Sequence, residues 1–290
     1  MSIPMNSICF QCHMNRSLER ARALGDEEAV TRFARELLKL YTDLPEDASS
    51  PYIGPQVAKL MQEIFGQDPD HMRPEKEASN RFVMERLDSI RAKVENTPDP
   101  VFSALQFSVL GNYLDFAALQ GKVSFDALDE MLDSALEMNL DKDCYHSLQK
   151  DLSKGGSLLY LTDNAGEIGF DRILAEQIQK AYPQVKITFC VRGGPVHNDA
   201  TREDAGVVGL RFPVIDSGNS IGGTQIELLS PEAKGTLDRA DIVIAKGMGN
   251  IETMYGCGYN VYYAFLVKCE RVVRFFDKPM MTPMLVREQR

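Results

Sequence analysis

The chain has 290 residues, 44% of them hydrophobic, and a formal net charge of -10. That length allows one large domain or two modest ones with a sizeable core. There is no run of about 18 apolar residues to span a membrane, no basic flank and apolar stretch to mark a secretory signal, and no basic patch to attract nucleic acid.

Residues 1–150 read as helices. Positions 16–41 carry apolar residues at helical spacing, among them Leu18, Ala21, Phe33 and Leu37, and predict one helix. Residues 52–65 predict a second, with Pro55 in its first turn. Residues 75–96 predict a third, stopped by Pro98 and Pro100. Residues 101–119 are more apolar and predict a buried helix, and Ser124 is placed as N-cap of a helix over 125–138.

The pattern changes near Gly155. Short apolar runs at 157–162, 185–191, 211–215, 242–245 and 264–267 predict strands, with 271–276 as the last. Helical patterns at 170–182 and 231–239 lie between them. Strands buried on both faces and alternating with helices imply a mainly parallel sheet in a three-layer α/β/α, Rossmann-like domain over 151–290. Residues 1–150 would form an all-helical domain. In such sheets ligands bind at the carboxyl ends of the strands.

Three strings fall at those ends: Asp163-Asn164-Ala165-Gly166-Glu167, Asn198-Asp199-Ala200-Thr201 and Lys246-Gly247-Met248-Gly249-Asn250. Asp163 and Asn164 offer neighbouring hard oxygen ligands, and Asp199 a second carboxylate, which suits magnesium or manganese. Arg192-Gly193-Gly194 precedes Asn198-Asp199, and its glycines let backbone N–H groups approach an anion. Lys246 closes an apolar strand before a Gly-rich turn, the arrangement of a phosphate grip, with Asn250 reaching the same ligand. As structure alone, the first two strings are a βα turn and an N-cap, and Lys246 a snorkelling surface lysine. A fourth string, Gly111-Asn112-Tyr113-Leu114-Asp115, puts Asn112 and Asp115 on one helix face, turned either to a cleft or to a structural hydrogen bond.

Six cysteines without a signal fit a reducing cytoplasm. Cys9-Phe10-Gln11-Cys12-His13 matches the attachment pattern of c-type haem, which belongs to exported proteins and is therefore rejected. A second metal at Cys9 and Cys12, joined by Cys257 or Cys269, is one reading. A reduced thiol pair docking the N-terminus, or a redox-sensitive pair, is the default. Cys190 is placed in the core, and His197 is a loop residue near the proposed site.

In their order and spacing, the four strings resemble the damage-control phosphatases, also known as domain of unknown function 89. The resemblance covers most of the chain, and the Cys9/Cys12 pair looks like the prokaryotic branch. It implies a helical domain roofing the active site and a divalent metal (Mn, Mg, Co or Ni) held by Asp163, Asn164 and Asp199. The family's lysine falls on Lys246 and its substrate-side asparagine on Asn112. The implied activity is hydrolysis of small phosphomonoesters, such as reactive or wrongly phosphorylated metabolites. Eukaryotic relatives continue the lysine string as Lys-Gly-Asp-Leu-Asn-Tyr-Arg. Here it continues Gly249-Asn250-Ile251-Glu252, without their aromatic and basic contacts.

Asp163 and Glu167 are then alternatives for base or nucleophile, and Lys246, with the N–H groups of Gly193 or Gly247, would stabilise phosphoryl charge. Asn112, Asp115, Arg192, Gly193, Asn198, Gly247 and Asn250 form the expected substrate side. Two competing readings are an S-adenosylmethionine-dependent carboxyl methyltransferase and a noncatalytic metal- or thiol-sensing protein. The first calls for a Gly-rich first turn and an acidic end to the second strand. This chain has a single glycine, Gly166, and Val191-Arg192. Nothing in the sequence sets the oligomeric state or the substrate, with sugar phosphates, phosphopantetheine derivatives and nucleotides all open.

Overall fold

The computed structural model describes residues 2–114 and 125–288. Its helical part comprises α1 (Ser7–Arg22), α2 (Glu27–Thr42), α3 (Gly54–Phe65), α4 (Arg73–Glu95), α5 (Pro100–Gly111), α6 (Phe125–Asp133) and α7 (Lys142–Ser153). The second half adds β1 (Gly156–Leu161), α8 (Glu167–Ala181), β2 (Val185–Val191), α9 (Arg202–Val207), β3 (Val214–Asp216) and α10 (Pro231–Arg239). It ends with β4 (Ile242–Lys246), α11 (Gly247–Met254), β5 (Val261–Leu266), α12 (Glu270–Phe276) and β6 (Pro283–Arg287). Among the described residues no helix is long and apolar enough to cross a membrane.

The six strands form one sheet in the order β3-β2-β1-β4-β5-β6. All neighbours run parallel except β5 and β6. Alternate residues of each strand feed different cores, as period-two side-chain direction requires. Leu158, Tyr160, Ile244 and Tyr262 pack on one face against α4, α5, α7 and α8. Leu159, Leu161, Val243 and Tyr263 pack on the other against α10, α11 and α12. The expected three-layer α/β/α arrangement is therefore present.

The first core does not stop at residue 150. It runs from Phe82 and Val83 through Phe107 to Phe170 and the sheet. Helix α5 is buried along nearly its whole length, with Asp99 capping its start by accepting from the Phe102 N–H. A Cβ on Gly111 would meet the Phe170 ring and the Glu167 side chain. That close approach brings the end of α5 onto the start of α8.

Some elements differ from expectation. The single helix over 16–41 is two, because Asp26 caps a new start by accepting from the Ala29 N–H at 2.9 Å, with Glu27 and Glu28 in the favourable first turn. Residues 271–276 are helical, not the last strand. Glu270 pairs with Arg274 one turn on at 2.8 Å, and Val272 is buried against the sheet. The last strand is β6, opened by Pro283, which lacks an N–H and suits the first position of an edge strand. Helix α5 ends at Gly111, so Asn112 lies in a 3-10 turn rather than on an α-helical face. Asp115 and Ser124 lie outside the described residues.

Candidate active site

Strand order reverses between β1 and β4, which pair side by side in the sheet centre. The crevice beyond their carboxyl ends is the usual ligand position in such sheets. Asp163 and Asn164 follow β1, and Lys246 ends β4. Two of the three strings are joined by backbone: Ala200 N–H donates to Asp163 O at 2.7 Å and Ala165 N–H to Asn198 O at 2.8 Å, with Asn164 and Asp199 forming an antiparallel bridge. Asp163, Asn164 and Asp199 thus leave adjacent backbone, and all three side chains are buried.

Two glycines are dictated by this crowding. Gly166 has φ +77, and a Cβ there would meet the Ser79 backbone. Its N–H donates to Asn80 Oδ1 at 2.7 Å, tying the turn to α4. Gly247 has φ +75, and a Cβ there would overlap the Asp163 carboxylate. Both conformations favour glycine.

The Asp163 Oδ2 atom accepts from the side-chain amides of Asn112 and Asn164, each at 2.8 Å. The same two amides donate to Glu167 Oε2 at 3.0 and 2.9 Å. Asn112 is itself fixed, its Oδ1 accepting from the Leu266 N–H on β5 and its carbonyl from the Lys268 ammonium. Glu167 Oε1 accepts from Lys246 Nζ at 2.5 Å.

Lys246 does not face outward. It is 0% exposed, and Nζ also donates to Asp171 Oδ1 at 2.8 Å and Ser108 O at 2.9 Å. An ammonium has three N–H bonds, and these three acceptors use them. The expected phosphate grip is therefore occupied by protein. Asp171 Oδ1 also accepts from Ser108 Oγ at 2.7 Å and Tyr160 OH at 2.8 Å, while its buried Oδ2 has no hydrogen-bond partner among the described residues. Burial pushes the Asp171 carboxyl up, against the pull of Lys246. Burial alone would lower Lys246, but Asp171 and Glu167 outweigh it and hold the ammonium above its ordinary value.

Arg192, 2% exposed, turns its guanidinium inward. Nε donates to Asp199 Oδ2 at 2.6 Å, Nη1 to Gly223 O at 2.8 Å and Nη2 to Thr162 O at 3.2 Å, and Nη2 lies 3.9 Å from Asp163 Oδ1. Gly193 departs from expectation: its N–H donates to Asn219 O and Ser217 Oγ, and a Cβ would strike the 218–219 backbone. Asn250 likewise braces the fold, its amide donating to Thr162 O and Lys246 O and accepting from Thr224 Oγ1. Asn198 donates to Leu114 O at 3.1 Å, while its buried Oδ1 has no hydrogen-bond partner among the described residues. His197 is exposed, with left-handed backbone.

Sequence reasoning passed over Asp171, Ser108, Tyr160 and Thr224. One signal was available. Glu167 and Asp171 stand four apart on a helix whose other residues there are apolar, opposite a lysine in an apolar strand, so the three charges can be buried only together.

The donor chemistry fits a hard divalent cation. Asp163 and Asp199 offer carboxylate oxygens and Asn164 an amide oxygen, and the four carboxylates of Asp163, Glu167, Asp171 and Asp199, linked through Lys246, Arg192 and the Asn112 and Asn164 amides, outnumber those two cations. Among the described residues no three His, Cys, Asp or Glu side chains gather as a metal cluster, and the expected trio contains only two of that kind. Cys9 and Cys12 form no such cluster either. Cys9 is buried, with its thiol on Asn6 Oδ1 at 3.4 Å, while Cys12 is exposed.

A family profile described as the damage-control phosphatase ARMT1-like domain matches residues 5–282. An uncharacterized protein from Methanocaldococcus jannaschii is 30% identical over 285 residues, covering 93% of this chain and 91% of that protein. A protein named damage-control phosphatase from Archaeoglobus fulgidus is 29% identical over 279 residues, covering 93% and 94%. A crystal structure of a DUF89 family protein from Pyrococcus horikoshii superposes with a TM-score of 0.84 at 26% identity, over 99% of both chains.

Proposed function

The chain belongs to the damage-control phosphatase ARMT1-like family, and on that footing we propose that it hydrolyses small phosphomonoesters with a divalent cation held by Asp163, Asn164 and Asp199. One observation carries this reading. Three oxygen-donor side chains leave adjacent, mutually hydrogen-bonded backbone at the sheet's reversal point, within a buried cluster of excess negative charge.

When bound, such a cation would supply Lewis-acid charge beside the phosphoryl group and make water a better nucleophile. The chain's own groups divide as follows. Glu167 has both oxygens committed, to Lys246 and to the amides of Asn112 and Asn164. It therefore acts as a brace. Asp163 is assigned as the reactive carboxylate because it lies against the start of α11, with its Oδ2 fixed by the two amides. Helix α11 starts at Gly247, against Asp163. Its first-turn N–H groups have no partner within the helix, which suits a phosphoryl oxygen there. Lys246 acts through Glu167 as a positioning residue.

Two features weigh against the methyltransferase reading. The turn after β1 is sealed by α4 through Asn80 and Ser79. The residue ending the second strand's run is the cation Arg192, where a nucleoside pocket places an acid.

The test is phosphate release from a panel of sugar phosphates, nucleotides and phosphopantetheine derivatives with Mn, Mg, Co or Ni, and again with chelator. Turnover should need the metal and disappear in Asp199→Ala. Undiminished hydrolysis in that variant would sink the assignment.

A further inference from the structure

Arg192 stands where a cation between Asp163 and Asp199 would be wanted. The two carboxylates come together because their backbones are zipped, not because their charges favour it. Buried like charges repel strongly, and an isolated pair would part or take up a proton. Here a guanidinium, permanently charged, lies 2.6 Å from Asp199 Oδ2 and 3.9 Å from Asp163 Oδ1. It is not free to leave. The carbonyls of Gly223 and Thr162 accept from its two Nη atoms, and Asn250 Oδ1 lies 3.5 Å from Nη2.

We propose that Arg192 is the site's built-in counter-cation: it keeps Asp163 and Asp199 together before a metal enters, and it lowers the affinity for that metal by competing for the same carboxylates. The proposal rests on the metal-dependent reading above. A divalent ion on Asp163 and Asp199 would sit beside a fixed positive charge. In a buried site that repulsion is poorly screened by water or salt. The outcome is a pocket that is shaped in advance yet binds its metal loosely enough to exchange. Loss of the guanidinium charge should therefore act in opposite directions on the two states. The metal-free protein loses a counter-ion, and the metal-bound protein loses a competitor. Because the ion stabilises only the folded chain, the metal-induced rise in Tm reports the difference without any turnover.

The experiment measures Mn2+ binding by calorimetry and the Mn2+-induced Tm shift on the full chain, for wild type, Arg192→Gln and Arg192→Lys. Arg192→Gln removes the charge and keeps a donor. It should lower the metal-free Tm, enlarge the Mn2+-induced rise and bind Mn2+ at least about tenfold more tightly. A variant that folds only with Mn2+ present supports the same conclusion. Arg192→Lys keeps the charge without the planar fork, so its affinity should stay within about threefold of wild type. Two results would overturn the proposal: Arg192→Gln binding Mn2+ no more tightly than wild type, or Arg192→Lys binding it about tenfold more weakly. The second would mean that the fork organises the carboxylates rather than competes for them, and it applies even where Arg192→Gln does not fold. If wild type itself binds no Mn2+, Mg2+, Co2+ or Ni2+, the metal-dependent reading falls first, a separate result.

Discussion

Lys246 Nζ, at the end of β4, meets Glu167 Oε1, at the start of α8, at 2.5 Å with neither side chain exposed. Asp171 holds the other side of the same ammonium at 2.8 Å. Removing Lys246 would leave two carboxylates buried with no compensating charge. Lys246→Met should thus cost about 3–5 kcal/mol of stability, read from urea unfolding. Adding Asp171→Asn should recover part of that loss, because one orphaned charge goes with it. A single-variant loss under about 1 kcal/mol would show that the ion pairs contribute little.

Gly247 sits against Asp163 in the left-handed region. Gly247→Ala forces both a strained backbone and a clash with the carboxylate. Expected are a stability loss of about 1–3 kcal/mol and a fall in kcat larger than any change in KM. An unchanged kcat would mean that the Asp163 carboxylate tolerates displacement.

Asp199→Asn preserves shape but removes one charge from Arg192 and from the proposed metal. Metal-dependent phosphate release should drop at least about a hundredfold, with near-unchanged circular dichroism. Activity close to wild type would remove Asp199 from the reaction.

Glu252, on α11, is buried, and burial raises its carboxyl to about 7, only partly offset by Arg271. A raised carboxyl favours the protonated form in the fold. Stability is therefore full below the unfolded carboxylate pKa of about 4.3 and declines as pH rises from there through about 7. By linkage the decline is about 4 kcal/mol. Glu252→Gln should flatten unfolding free energy between pH 5 and pH 8, and it should be more stable than wild type at the upper end. An equally steep decline in the variant would place its source elsewhere.

The sheet and its site-bearing turns were legible because apolar strands buried on both faces end abruptly in polar strings, which marks where the chain leaves the core at a crevice. What stayed hidden were pairings. Glu167 read as a base or nucleophile and Asp171 went unread, because nothing in the sequence says that Lys246 points at both. Arg192 read as a substrate contact because sequence does not say which way a side chain turns after a strand. Arg271-Val272-Val273-Arg274-Phe275-Phe276 suits a strand by composition, and only Glu270 before it, pairing with Arg274, tips it to a helix. The break between α1 and α2 was written in Gly25-Asp26-Glu27-Glu28, but apolar periodicity runs through it.

Asn80 gives the helical half a stake in the chemistry. Its Oδ1 holds the Gly166 N–H while its Nδ2 donates to Asp204 at 2.8 Å, and Lys76 pairs with that same Asp204. With Phe107 seated near Phe170, this makes excision at residue 150 impractical. A protein engineer seeking a minimal version of the fold would have to carry α4 and α5 along.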